Sequence, residues 1–110
     1  MVKSMSFLKR KSGITREEFM RYWKEEHGPI AAKIIPGLKR YVQNHPVDIP
    51  GVESEYDGIA EIWWESLDAA MKFPAWHKSE EARPLREDEE KFFDTSQRSR
   101  FFAEEHIVVE

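Results

Sequence analysis

The chain contains no cysteine, which excludes disulfides, thiolate nucleophiles and Cys-based zinc or iron–sulfur sites. It also lacks any apolar run approaching the ~20 residues of a membrane span. Met1-Val2-Lys3 leads directly into strand-like alternation instead of the apolar region of a signal peptide. The expectation is a soluble, cytoplasmic protein with no membrane partner. Basic charge is sparse: the net charge is −4, and Lys9-Arg10-Lys11 is the only compact basic cluster. Nothing resembles the stripe that a phosphate backbone requires, so no nucleic-acid partner is expected. Gly-x-Gly-x-x-Gly, Walker, Gly-x-Ser-x-Gly and His-Glu-x-x-His patterns are all missing, so nucleotide cofactors and the common hydrolase and metalloprotease mechanisms have no support, and no cofactor is expected.

What is present is an aromatic-rich chain of 110 residues, with four Trp, seven Phe and three Tyr. Its length fits one domain, residues 1–110, able to bury roughly two-thirds of its unfolded surface. The most informative stretch is 15–29. Thr15 with Glu18 forms a capping box, Phe19, Trp23 and His27 recur on one face, and Pro29 predicts a kink or stop near Gly28. Ile30, Ala31, Ile34 and Ile35 allow a short continuation closed by Pro36-Gly37.

Alternation marks strands at 2–9, 38–47, 57–65 and 99–109. Between the last two, Ser66, Pro74 and Pro84 divide a helical region into three pieces, the third running to Asp94. The resulting β-α-β-β-α-β order predicts an α+β, ferredoxin-like fold: an antiparallel four-stranded sheet with both helical regions on one face. A second copy is the simplest cover for the other face, which predicts a homodimer with a ligand-sized space between the sheets.

The residues Thr15, Glu18, Phe19, Tyr22, Trp23, His27, Gly28 and Pro29, then Pro36-Gly37-Leu38 and Tyr41, then Asp57, Ala60, Glu61, Trp63 and Trp64, with Asp88-Glu89 and Phe92-Phe93-Asp94, resemble the EthD family. That family is named for ethyl tert-butyl ether degradation and belongs to the dimeric α+β barrel superfamily. The resemblance implies a small hydrophobic or oxygenated metabolite as ligand, and isomerase, dehydratase, cyclase or decarboxylase chemistry on an oxygenated ring or lactone. The alternative it implies is a non-catalytic accessory to an oxygenase system. In methylisomerase relatives a histidine, a tyrosine and a cysteine contribute to the site. The first two correspond to His27 and Tyr41, while Ile62 stands where the cysteine would be.

The candidate catalytic residues are therefore His27, to move a proton, and Tyr41, to hold an oxygen; Trp23, Trp64, Ile62 and Ala60 are the candidate substrate-binding residues. A histidine near a helix end with aromatic neighbours suits acid–base work, although the plainer reading is a hydrogen-bonded histidine closing the kink. Tyr41 is equally readable as a core aromatic. His45 is expected at a rim. Asp57 and Glu61 oppose Gly58 and Ala60 on their strand, and the small residues are expected to face the cavity. His77 with Glu81 makes no metal site by itself, and none is expected. His106 is placed on the last strand, and Glu87–Glu90 is read as a solvated helix start. Superfamily relatives that bind haem leave axial ligation by a histidine as a third reading.

Overall fold

The first strand, β1 (Val2–Leu8), alternates buried and half-buried residues along its whole length. In the computed structural model, which describes residues 1–110, it pairs antiparallel with β3 (Gly58–Trp64) and β4 (Ser99–Ala103). β2 (Arg40–Asn44) completes the sheet beside β3, in the order β2-β3-β1-β4. This is the α+β, ferredoxin-like arrangement. Strands β2 and β4 are shorter than the alternation at 38–47 and 99–109 predicts. Lys39 N–H still donates to the Trp63 carbonyl at 2.8 Å, but residues 45–47 and 104–109 find no ladder partner, so alternation there reflects composition and not pairing.

Register sorts the side chains into two faces. Gln43, Ala60, Ser6 and Arg100 lie in one row across all four strands, and Tyr41, Ile62, Ser4 and Phe102 lie in the next. Both rows face the helices. Lys3, Met5, Phe7, Glu61, Trp63 and Phe101 face the opposite way. Gly58 allows close packing in the helical layer, since a Cβ there would stand 2.4 Å from the Trp23 ring.

Helix α1 (Arg16–Tyr22) starts at the predicted capping box: Glu18 N–H donates to Thr15 Oγ1 at 3.0 Å, and Thr15 N–H to Glu18 Oε1 at 2.9 Å. The irregularity predicted near Gly28, a kink or stop, is present as a change of winding, and the chain stays helical through it. A π turn, Trp23–His27, widens the helix, and the Gly28 N–H reaches the Trp23 carbonyl across five residues. Pro29 consequently falls in the first turn of α2 (Gly28–Ile34), where its missing N–H costs no internal bond. Gly37, at φ 71°, turns the chain out of α2 toward β2.

The second helical region is segmented as expected into α3 (Leu67–Met71), capped by Ser66, α4 (Phe73–His77), and α5 (Arg83–Glu89), with a 3₁₀ turn at Glu80–Ala82. Helix α5 ends at Glu89, short of Asp94. Two apolar clusters fill the space between helices and sheet, one around Trp64, Phe73 and Leu85 and the other around Phe19, Trp23 and Phe92. No helix is long and apolar enough to cross a membrane.

Candidate functional site

The π turn swings His27 inward, where it is 6% exposed. Its Nδ1 lies 2.7 Å from Asp88 Oδ2 on α5, and the Tyr22 hydroxyl donates to the other Asp88 oxygen at 2.5 Å. An ionised carboxylate only accepts, so the imidazole proton sits on Nδ1 and Nε2 keeps its lone pair. Nε2 has no partner in the chain, and His27 lines a cavity between the sheet and the helices. Burial lowers the His27 pKa below 6.5 against the opposing pull of Asp88, so the ring is neutral at pH 7.

Tyr41 lines the same cavity from β2. Its hydroxyl oxygen accepts from Gln43 Nε2 at 3.0 Å, which leaves the O–H free to donate. Gln43 Nε2 also donates to the Trp23 carbonyl at 2.9 Å, and Gln43 Oε1 accepts from His45 Nε2 at 2.8 Å. Burial raises the Tyr41 pKa above 10, so the group stays a phenol. His45 is half-buried and stacks on Trp23 with ring centroids 4.7 Å apart.

The cavity, about 40 Å³, is also lined by Trp23, Ala60 and Ile62. Trp64 is not among its walls: it is 1% exposed, its Nε1 donates to the Pro36 carbonyl at 3.1 Å, and it packs on Phe73. This cavity is formed within one chain, on the helical side of the sheet, and is distinct from the space expected between the sheets of two copies. Its floor is there because Ala60 and Ser6, small side chains of adjacent strands, face the helices. Of the two acids on the other parity, Glu61 pairs with Lys3 at 2.8 Å, and Asp57 takes the Arg10 N–H at 2.7 Å and Arg16 Nε at 3.1 Å. Both are structural.

Four charged cavity and support residues escaped the sequence reading. Of the 87–90 run, read as a solvated helix start, Glu87 and Glu90 are exposed, but Asp88 and Glu89 are 4% and 7% exposed, and the run lies at the end of α5. Leu85, Asp88, Glu89 and Phe92 recur at helical spacing, and acids on an otherwise apolar stripe were the available signal. Glu89 accepts from His77 Nε2 at 3.1 Å and from Arg98 at 2.6 Å. Burial pushes its pKa up, but those two partners hold it below the ordinary carboxylate value. Arg98 and Arg100 line the cavity beside it. The pairing of His77 with Glu81 does not form, because the chain leaves the helix after His77. His106 lies beyond β4 and is exposed.

No three His, Asp or Glu side chains are grouped to hold a metal ion. Haem does not fit either: Nε2 of His27 opens on a space of about 40 Å³ closed by Phe93, Leu85 and Ile62, far too small for a macrocycle.

The EthD domain model matches residues 11–96. No curated protein matches the chain. An ethyl tert-butyl ether (EthD) family protein of Bacillus halodurans superposes with a TM-score of 0.70 at 20% identity, covering 96% of this chain and 100% of its own. An EthD-like protein of Ralstonia eutropha gives 0.67 at 14% identity, covering 99% and 93%. A dimeric ferredoxin-like protein of unknown function from Thermobifida fusca gives 0.61 at 14% identity, covering 93% and 88%. These likenesses extend to the fold, and the domain match spans most of the sequence: the chain belongs to the EthD family.

Proposed function

We propose that this protein is a cofactor-free acid–base catalyst acting on an oxygenated small molecule, by removing a proton from carbon next to a carbonyl or lactone. His27 Nε2 takes the proton as the C–H bond breaks. The electron pair moves onto the carbonyl oxygen, where the Tyr41 hydroxyl donates a hydrogen bond to the developing enolate. Asp88 holds the ring in the required tautomer and stabilises the imidazolium that forms. Return of the proton from His27 to another carbon isomerises the substrate, and departure of a β-hydroxyl group, which takes that proton and leaves as water while the enolate collapses to the conjugated carbonyl, dehydrates it.

The observation that carries this reading is the buried 2.7 Å contact between His27 Nδ1 and Asp88, which leaves Nε2 without a partner on a residue that lines the same cavity as Tyr41. It is supported by opposite pKa directions: burial makes the histidine a neutral base and keeps the tyrosine a protonated donor. The test is solvent-deuterium uptake by lactones and β-keto compounds, followed by proton NMR. Uptake that vanishes in His27→Gln and falls in Tyr41→Phe is expected; equal uptake in all three proteins, or none with any compound, would overturn the reading.

A second reading rests on the cavity volume. About 40 Å³ holds only a few waters, well below the several hundred Å³ of typical ligand sites. That is short of a whole substrate, and an accessory module, associated with an oxygenase system and binding a small metabolite without turning it over, needs no reacting centre held in this cavity. Tight binding that survives His27→Gln with no product formed would support it. In either reading a second copy covers the open face of the sheet, where Met5, Phe7 and Phe101 are partly or largely exposed.

A further inference from the structure

Arg100 differs from the other buried or half-buried cations in where its donors go: Arg86 also forms no ion pair, but its Nη1 donates to the His77 and Ser79 carbonyls. Lys3 has Glu61, Arg10 and Arg16 share Asp57, and Arg98 has Glu89. Arg100 forms no ion pair: its Nε donates to Ser6 Oγ at 3.0 Å, its guanidinium lies over the Phe73 ring at 5.0 Å, and its terminal nitrogens have no partner in the chain. The one carboxylate nearby, Glu89, is already shared between His77 and Arg98. Arg98 Nε is itself buried without a partner. Burial, with Arg98 close by, pulls the Arg100 pKa down to about 10. A half-buried guanidinium without a carboxylate is held against a desolvation penalty that a counter-ion would remove.

Position adds a direction. Arg100 and Gln43 are the two ends of one row across the sheet, with Ser6 and Ala60 between them. Three strand spacings separate those ends by about 14 Å at backbone level. Ser6 and Ala60, the small residues of the middle of the row, floor the cavity of about 40 Å³, and Tyr41, bonded to Gln43, stands at the far end. The cavity lining carries two guanidiniums and one carboxylate, leaving one uncompensated positive charge.

We infer that Arg100 anchors a small organic carboxylate, so that the ligand is a monoanion with its charged end at β4 and its apolar or oxygenated remainder toward His27 and Tyr41. The guanidinium offers two parallel N–H donors to the two carboxylate oxygens, a geometry that lysine does not reproduce. This rests on the acid–base reading for the identity of the site, and not for the anion contact.

The test is an NMR titration of the full chain with acetate and its neutral isostere acetamide, at constant ionic strength, following the Arg100 Nε–H and the His27 ring. Acetate is expected to saturate both signals, and acetamide to bind at least tenfold more weakly. Arg100→Gln, which keeps an amide for Ser6, should weaken acetate roughly 10- to 100-fold. Arg100→Lys should fall between, and both variants should melt within a few degrees of the natural protein. Equal affinity for acetate and acetamide, or unchanged acetate binding in Arg100→Gln, overturns the inference. So does failure of acetate to bind the natural protein. Deuterium uptake by carboxylate-bearing lactones or keto acids that is undiminished in Arg100→Gln overturns the anion site and leaves the acid–base reading standing. Acetate binding at Arg100 with no uptake by any compound does the reverse.

Discussion

Asp88 Oδ2 and His27 Nδ1 meet at 2.7 Å, tying α5 to the π turn across 61 residues of sequence. The same carboxylate takes the Tyr22 hydroxyl, so both oxygens face donors. This arrangement selects one tautomer of His27, and the proposed chemistry depends on that tautomer.

Asp88→Asn should therefore cost far more in rate than in stability. The amide offers one acceptor and one donor where two acceptors are needed, so His27 or Tyr22 faces a mismatched group. Deuterium uptake is expected to fall roughly 100- to 10,000-fold with KM nearly unchanged. A variant that folds normally and keeps its rate would show that Asp88 does no more than fill the space beside α1.

Stability should fall on acidification in two stages. Burial lowers the folded-state pKa of His27 and of His45 below 6.5, so their contributions are fully present above about 6.5 and are lost as the pH falls through the folded values. Glu89 is likewise held below 4.5, despite its burial, by His77 and Arg98, and its contribution is lost in a lower window. Urea midpoints should be flat from pH 8 to 7, decline below about 6.5, and drop further below about 4.5. His27→Gln should flatten the first decline. A midpoint that rises between pH 7 and pH 5.5 would contradict the direction of the histidine shifts.

The helix start at Thr15, the caps, the four strands and the small-residue face of β3 were legible because each rests on local chemistry: a capping box, a proline at a first turn, a period of two. The π turn was not. Pro29 signals a clash in an α-helix, and the contacts that accompany the wider turn, the bond from Gln43 Nε2 to the Trp23 carbonyl and the packing of Trp23 over Gly58, come from other elements of the fold. Asp88, Glu89 and Arg100 were missed for a related reason. A charge on an apolar stripe reads as solvated until its partner on another element is known. His27 and Tyr41 were legible as candidates, but what orients them, Asp88 and Gln43, is a matter of long-range pairing.

Gln43 spends its whole side chain on that pairing, with Trp23, Tyr41 and His45. Gln43→Met keeps the length and removes every hydrogen bond. The Trp23 carbonyl retains the Gly28 N–H, so stability should drop by only about 1–2 kcal/mol in urea denaturation. Tyr41 loses the donor that lowers its pKa, so its phenol should titrate at higher pH, as read by ultraviolet absorbance. An unchanged phenol titration would mean that Gln43 braces the π turn without tuning Tyr41.

Phe101 tests the proposed dimer. It is 52% exposed on the open face, its ring is 5.9 Å from that of Phe7, and it stands opposite Met5 in the ladder. Because it contributes little to the buried interior of one chain, Phe101→Glu should leave the monomer folded. In a dimer closed over this face the carboxylate would be desolvated without a partner, at a cost of several kcal/mol. Sedimentation equilibrium should then show a natural protein of twice the chain mass and a variant shifted toward single chains, its dissociation constant raised roughly 100-fold or more. A variant that stays fully dimeric would move the interface off this face. Met5, Phe7 and Phe101 would then need another cover, while the cavity of His27 and Tyr41, which lies on the helical side, would be unaffected.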